Sequence, residues 1–328
     1  EFRRVLFRSV TGVRGCAMVI WWLTDGKAGH VAQAQGLFAA LRRQGTPIQV
    51  VEIPIVDCSR FATLVYWLSR HRFGHLPDIC QHTPPPRMIL GVGHTTHWML
   101  LLLGKVYPKA RTVVLMKPSL PLAWFDLVIM PEHDQPIECE TVLATKGVLN
   151  PLSNEQRHHP RRVLILIGGA SKRHGFDTDA LILQLQQLID QIGSQSAVVL
   201  TTSRRTPTDF IHQPAIQALS RSVQLCPVDH TPQGWLFEQL QLAESVWVTE
   251  DSVSMLYEAL TAGCRVGVLC MPRMKPDRIT QAVDRLVEHA IVGTLPQLVL
   301  GRDLPAAVQF AEADRAAIWL NAHLRAVE

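Results

Sequence analysis

The stretch SVWVTEDSVSMLYEALTAGCRVGVL, residues 245–269, decides the fold. Ser245–Val248 is an apolar run of strand length, and Asp251 and Ser252 follow it as residue types that cap free helix N–H groups. Gly263 is the residue type that ends a helix, and Arg265–Leu269 starts a second strand. Strand, helix and strand in that order make a parallel βαβ unit. Polar side chains on the first turn of a helix, at a strand's C-terminal end, form a pocket for an anion or a nucleotide. Taken alone, the stretch reads equally well as a capped βαβ unit that binds nothing.

The same alternation runs outward in both directions from that unit. Apolar or β-branched runs predict strands near 18–23, 47–53, 87–91, 111–115, 126–130 and 141–145, with helices near 30–44, 59–70 and 95–105. After the polar, proline-bounded segment Asn150–Pro160 the pattern restarts. Strands are expected near 161–167, 196–202, 223–226, 244–249 and 265–269, with helices near 178–192, 207–219, 252–263 and 276–289. The fold class is α/β: two Rossmann-like, doubly wound parallel-sheet domains facing a cleft. The first spans 18–155 and the second 156–300, with a C-terminal helix in 301–328. Residues 1–17 match no later element and read as a non-native extension, with Met18 as the expected natural start.

Composition narrows the function. A net charge of +4 is too mild for bulk nucleic-acid binding, so no nucleic-acid partner is expected. Seven cysteines without a CxxC pair suggest reduced thiols and a cytoplasmic protein. Fourteen histidines without HExxH do not form a zinc motif, and no metal is expected. The longest apolar run, Trp98–Leu103, is far short of the ~20 residues of a membrane span.

The unusual residues cluster in the loops after strands. Asp25, Gly26, Lys27, Ala28, Gly29 and His30 open the first helix. Two glycines there let backbone approach a ligand, and His30 near a helix N-terminus suits a base or donor. An ordinary glycine turn is the plainer alternative. His94 and His97 follow Gly91 and Gly93, three residues apart, and share a face if both are helical. His133 lies between Glu132 and Asp134 after the fifth strand. In the second half Gly168, Gly169 and Ser171 follow a strand, with Lys172 and Arg173 beside them, as in a diphosphate cradle. Arg204 and Arg205 end another strand, and arginine suits phosphate recognition.

Taken together, these motifs carry a resemblance. Residues 25–30, 91–97, 125–134, 167–171, 202–206 and 249–255, in that order, closely resemble the elongated-mitochondria (ELM) fission protein family, over about 18–300. The resemblance implies a GT-B-like pair of Rossmann-type domains. More distantly, the layout is similar to the lipid-linked UDP-GlcNAc transferase of peptidoglycan synthesis. That likeness implies that Gly168, Gly169 and Ser171 hold a diphosphate, that Ser252 and Ser254 approach it from a helix N-terminus, and that Glu258 binds the ribose. It also places His30 near an acceptor, with Gly29, His94, His97 and His133 on the acceptor side. Glu250 and Asp251 depart from the transferase pattern; two acids beside a diphosphate are unfavourable, and Arg204 or Arg205 is the expected offset.

The expected function is metal-independent transfer of a sugar from a nucleotide-sugar donor to an envelope glycolipid or lipid-linked acceptor. No cofactor is required, since the nucleotide-sugar is a substrate. His30, or in second place Asp25, is the expected general base. Phe61–Phe73, apolar and aromatic with a basic end, reads as a segment resting on the inner face of a membrane or as an internal helix. The alternatives are a GT-B-fold scaffold without catalysis and a nucleotide-sugar epimerase.

Overall fold

The computed structural model describes residues 17–55 and 83–325. The helix expected near 59–70, the surface segment 61–73 and residues 1–16 of the expected extension lie outside the described residues. The first domain holds β1 (Met18–Thr24), α1 (Ala28–Arg43), β2 (Ile48–Pro54), β3 (Met88–Val92), α2 (His97–Val106), β4 (Arg111–Leu115), β5 (Leu127–Pro131) and β6 (Val142–Thr145). All pairings are parallel, in the order β2-β1-β3-β4-β5-β6. Alternate residues of β1 serve the two faces, as a strand's period of two requires. Ile20 and Trp22 pack towards α1, and Trp21 and Leu23 towards α2.

The second domain runs β7 (His159–Ile167), α3 (Thr178–Ile192), β8 (Ala197–Thr202), α4 (Pro214–Leu219), β9 (Val223–Cys226), α5 (Trp235–Leu242) and β10 (Ala243–Thr249). It continues with α6 (Val253–Ala262), β11 (Arg265–Leu269), α7 (Arg278–Glu288), β12 (Gly293–Thr294) and α8 (Leu295–Val299). Its sheet is also parallel, in the order β12-β11-β10-β7-β8-β9. β7 is central, and its run from Val163 to Ile167 is buried on both faces. Gly263 ends α6 at φ +86°, a left-handed conformation that only glycine adopts without strain, and its N–H returns to the Leu260 carbonyl.

The expected helix over 207–219 is replaced by a short 3-10 turn, Phe210–His212, and then α4. Pro214 has no N–H to donate into the preceding turn, so the helix must restart there. The C-terminal helix α9 (Glu312–Arg325) returns to the first domain. Ala313, Ala316, Ala317, Leu320 and Leu324 join the core over α1, and Arg43 pairs with Asp314 at 3.0 Å. Where the chain leaves the first domain, Leu149 belongs to the first core and Leu152 to the second; where it returns, Phe310 belongs to the second and Ala313 to the first.

Each sheet has one topological switch point, where successive crossovers leave in opposite directions and open a crevice at the strand ends. In the first sheet it lies between β1 and β3, and in the second between β7 and β10. These two places carry the site residues.

Candidate active site at two switch points

In the second domain three loops lock together. The Gly168 N–H donates to Thr249 Oγ1 at 2.7 Å, and the Gly169 N–H to Asp251 Oδ2 at 3.0 Å. A Cβ on Gly168 would overlap the Asp251 carboxylate and the Ser252 hydroxyl; one on Gly169 would overlap the Arg205 carbonyl. Glycine is therefore required by close approach at both. Arg205 closes the cluster from β8's end. Its Nη1 donates to the Gly169 carbonyl at 3.0 Å, and its Nη2 to Asp251 Oδ2 at 2.6 Å and Ser252 Oγ at 2.9 Å.

The two acids that looked adverse to a diphosphate are each paired. Asp251, with a fully buried side chain, takes Arg205. Glu250 accepts from the Met271 N–H at 3.0 Å and from Arg273 at 2.6 Å, and Arg273 also bridges to Asp284 at 2.7 Å. Arg205 is thereby a clamp between loops. Arg204 and Lys172 are exposed, and among the described residues neither forms an ion pair. Ser171 is turned into its own loop: its Oγ accepts the N–H groups of Arg173 and His174 at 3.1 and 3.0 Å.

Ser252 precedes α6 and shares its hydroxyl between Asp251 and Arg205. Ser254 is exposed on the first turn, with Glu258 one turn further on the same face. Glu258 is half-buried and makes no hydrogen bond or ion pair among the described residues. Burial pushes its carboxyl up to about 7. The first turn of α6, with its unpaired N–H groups and no acid of its own, is left as the anion-attracting end of the crevice.

At the first domain's switch point Asp25 gathers three partners. Its Oδ1 lies 2.9 Å from His30 Nδ1, its Oδ2 2.6 Å from Lys27 Nζ, and Thr95 Oγ1 donates to Oδ2 at 3.0 Å. Burial opposes the charge on Asp25. The Lys27 ammonium and the His30 ring more than offset it and hold the carboxyl well below the usual carboxylate range. A carboxylate held that low is a weak proton acceptor, and its three partners suit it to orienting the His30 ring. It holds the His30 ring by Nδ1, so that Nε2 is the nitrogen turned away from it. The ring lies over Gly93, where a Cβ would overlap it and where φ is +81°. Gly29, by contrast, is exposed with open space where its Cβ would be, so no close approach demands glycine there.

The remaining histidines separate. His94 sits in a 3-10 turn and is exposed, while His97 begins α2 and is 1% exposed. His97 Nδ1 lies 3.1 Å from Ser119 Oγ, its ring packs edge-on to Phe125, and burial first, then His94, lowers its pKa to about 4. Enclosed in this way, His97 is a neutral core residue that an acceptor does not reach, a correction to its expected acceptor-side place. His133 is buried at the seam between domains. Burial lowers its pKa, Asp134 opposes this, and Arg278, Arg285 and Arg173 add to it. Asp134 joins the domains through Arg278 at 2.5 Å.

Three contributors escape a reading of the sequence. Thr249 and Thr206 hold the glycine loop through hydroxyls, Thr206 Oγ1 donating to the Ile167 carbonyl at 3.0 Å. His174 is buried with its Nε2 unpaired among the described residues. Only its place at the end of the glycine motif pointed to it.

Residues 28–324 match the family described as mitochondrial fission ELM1. The chain belongs to this family. An uncharacterized protein of Rickettsia prowazekii (strain Madrid E) is 24% identical over 324 residues, covering 84% of this chain and 89% of that one. Among solved structures, UDP-GlcNAc 2-epimerase from Methanocaldococcus jannaschii superposes with a TM-score of 0.51 at 13% identity, covering 93% of this chain and 99% of that one. MurG of Acinetobacter baumannii gives 0.50 at 12% identity, covering 94% and 99%. At those identities the likeness is one of fold: this ELM1-family chain has the GT-B-like pair of Rossmann-type domains. No helix among the described residues is long and apolar enough to cross a membrane.

Proposed function

We propose that this chain is a GT-B-type glycosyltransferase. It moves a sugar from a nucleotide-sugar donor to a hydroxyl of an envelope glycolipid or lipid-linked acceptor, without a bound metal. The observation that carries the reading is the pair of switch points. One presents a histidine oriented by a carboxylate, and the other a glycine loop beside a helix N-terminus whose first turn holds no acid, with an unpartnered carboxyl one turn along. The donor diphosphate lies against Gly168, Gly169 and the first turn of α6, with Ser254, Arg204 and Lys172 within its reach. Glu258 receives a ribose hydroxyl. His30 Nε2 takes the proton of the acceptor hydroxyl as that oxygen bonds to the anomeric carbon. The bond from that carbon to the diphosphate breaks, and its electron pair leaves on a phosphate oxygen whose charge the helix N-terminus stabilises. The membrane-surface acceptor is supported by the aromatic and basic segment Phe61–Phe73.

Thermal-shift screening against UDP-, GDP-, ADP- and dTDP-sugars tests the reading. Stabilisation by one nucleotide class is expected, and no stabilisation by any would sink it. Conversion of that donor incubated alone would mark an epimerase. A scaffold without catalysis is the second reading. It is favoured by the commitment of Arg205, Arg173 and Arg273 to internal carboxylates, which leaves the crevice few cations for a diphosphate.

A further inference from the structure

A separate cavity of about 260 Å³ lies at the seam of the two domains. Glu132, His133 and Lys146 wall it from the ends of β5 and β6, and Arg285 of α7 with His289 just after that helix from the other side. Its floor is Tyr257, one residue before Glu258. The side chain therefore leaves α6 about 100° round from the stripe assigned to the donor.

Tyr257 is 2% exposed. Its ring lies on the Gly147 backbone, where a Cβ would overlap it, and stacks on Phe310 at 5.5 Å and 28°. Its hydroxyl makes no hydrogen bond among the described residues and, lining the cavity, is left open to what enters it. Burial raises the phenol to about 12, with Glu132 adding to the rise, so it stays a protonated donor.

Charge and shape specify the occupant. Lys146 and Arg285 are cationic side chains in no ion pair among the described residues. His289 is anchored through Nδ1 to the Arg285 carbonyl at 2.7 Å, and Glu132 is the single lining acid. Leu286, Ile291 and Phe310 supply an apolar wall. The volume falls just below the ~300–1,000 Å³ typical of sites for drug-sized ligands, so the occupant is smaller. The geometry points to a binding site for a small organic anion, a carboxylate or phosphate monoester on a compact ring or apolar body. Both domains line the cavity, so such a ligand contacts both at once.

Phenyl phosphate is the probe, titrated by calorimetry into the full chain. Binding is expected to be tighter than that of inorganic phosphate, which lacks the ring. Arg285→Gln should weaken it about tenfold or more, the scale of one lost charged hydrogen bond. Glu132→Gln should tighten it about two- to threefold by removing a repulsive charge. Tyr257→Phe, which keeps the packing, should weaken it about fivefold. Saturating UDP should leave the affinity unchanged. Absence of binding at millimolar probe, equal affinity in Arg285→Gln, or competition by UDP would each overturn the assignment.

Discussion

Replacing Glu258 by Gln tests the crevice through stability before any ligand is known. The carboxyl is half-buried, has no hydrogen-bond partner among the described residues, and is raised by burial from 4.5 to about 7. Between those two values the folded chain keeps a proton that the unfolded chain has released. Stability therefore falls as pH rises through this window and is flat above it. At about 1.4 kcal/mol per pH unit, the loss reaches about 3 kcal/mol by mildly alkaline pH. Gln has the same shape and no charge, so the variant escapes the loss. Urea unfolding of both proteins should show the variant's advantage growing by about 2–3 kcal/mol between about pH 5 and about pH 8. An advantage that stays constant or shrinks over that range would refute the burial argument. The same titration bears on function: an ionised carboxylate is the better acceptor for a ribose hydroxyl, so nucleotide affinity should rise through about neutral pH in the parent chain and stay flat in the variant.

His30→Ala should lower kcat by about 10²–10⁴ while leaving the donor KM in place, and Asp25→Asn, which frees the ring without removing it, should cost less; steady-state rates with the donor identified by screening check both. Gly169→Ala forces a methyl onto the Arg205 carbonyl and should destabilise by about 1–3 kcal/mol while abolishing nucleotide-induced thermal stabilisation. Arg205→Leu strands the fully buried Asp251 carboxylate. About 2–3 kcal/mol should be lost, less than for a wholly buried pair because Arg205 itself faces water, and chemical denaturation at neutral pH reads the loss.

The strands were legible because their apolar runs are local and bounded by turn residues, and the two-sheet division followed from the restart at Arg161–Ile167. Strand order was not legible. Nothing in the composition of β3 says that it lies beside β1, and it is that adjacency which brings Thr95 to Asp25, 70 residues away. The partner of Asp251 was hidden in the same way, 46 residues off in a loop chosen for its arginines and not for their direction. The spacing of His94 and His97 carries no sign of depth: His94 lies exposed in the 3-10 turn, while His97 begins α2 inside the core. The apolar stripe of α9 marked a helix that buries a face, but an amphipathic stripe does not name the surface it covers.

The double crossing between domains, at Leu149–Leu152 and again at Phe310–Ala313, reverses the order in which the halves are completed. The first domain leaves the ribosome first, yet its core over α1 stays uncovered until α9 has been made, after the whole of the second domain. The second domain can close its own core in the meantime. α9, made after the whole of the second domain, is thus the lid of the first-made half, and damage to it is a lesion of the domain that carries His30.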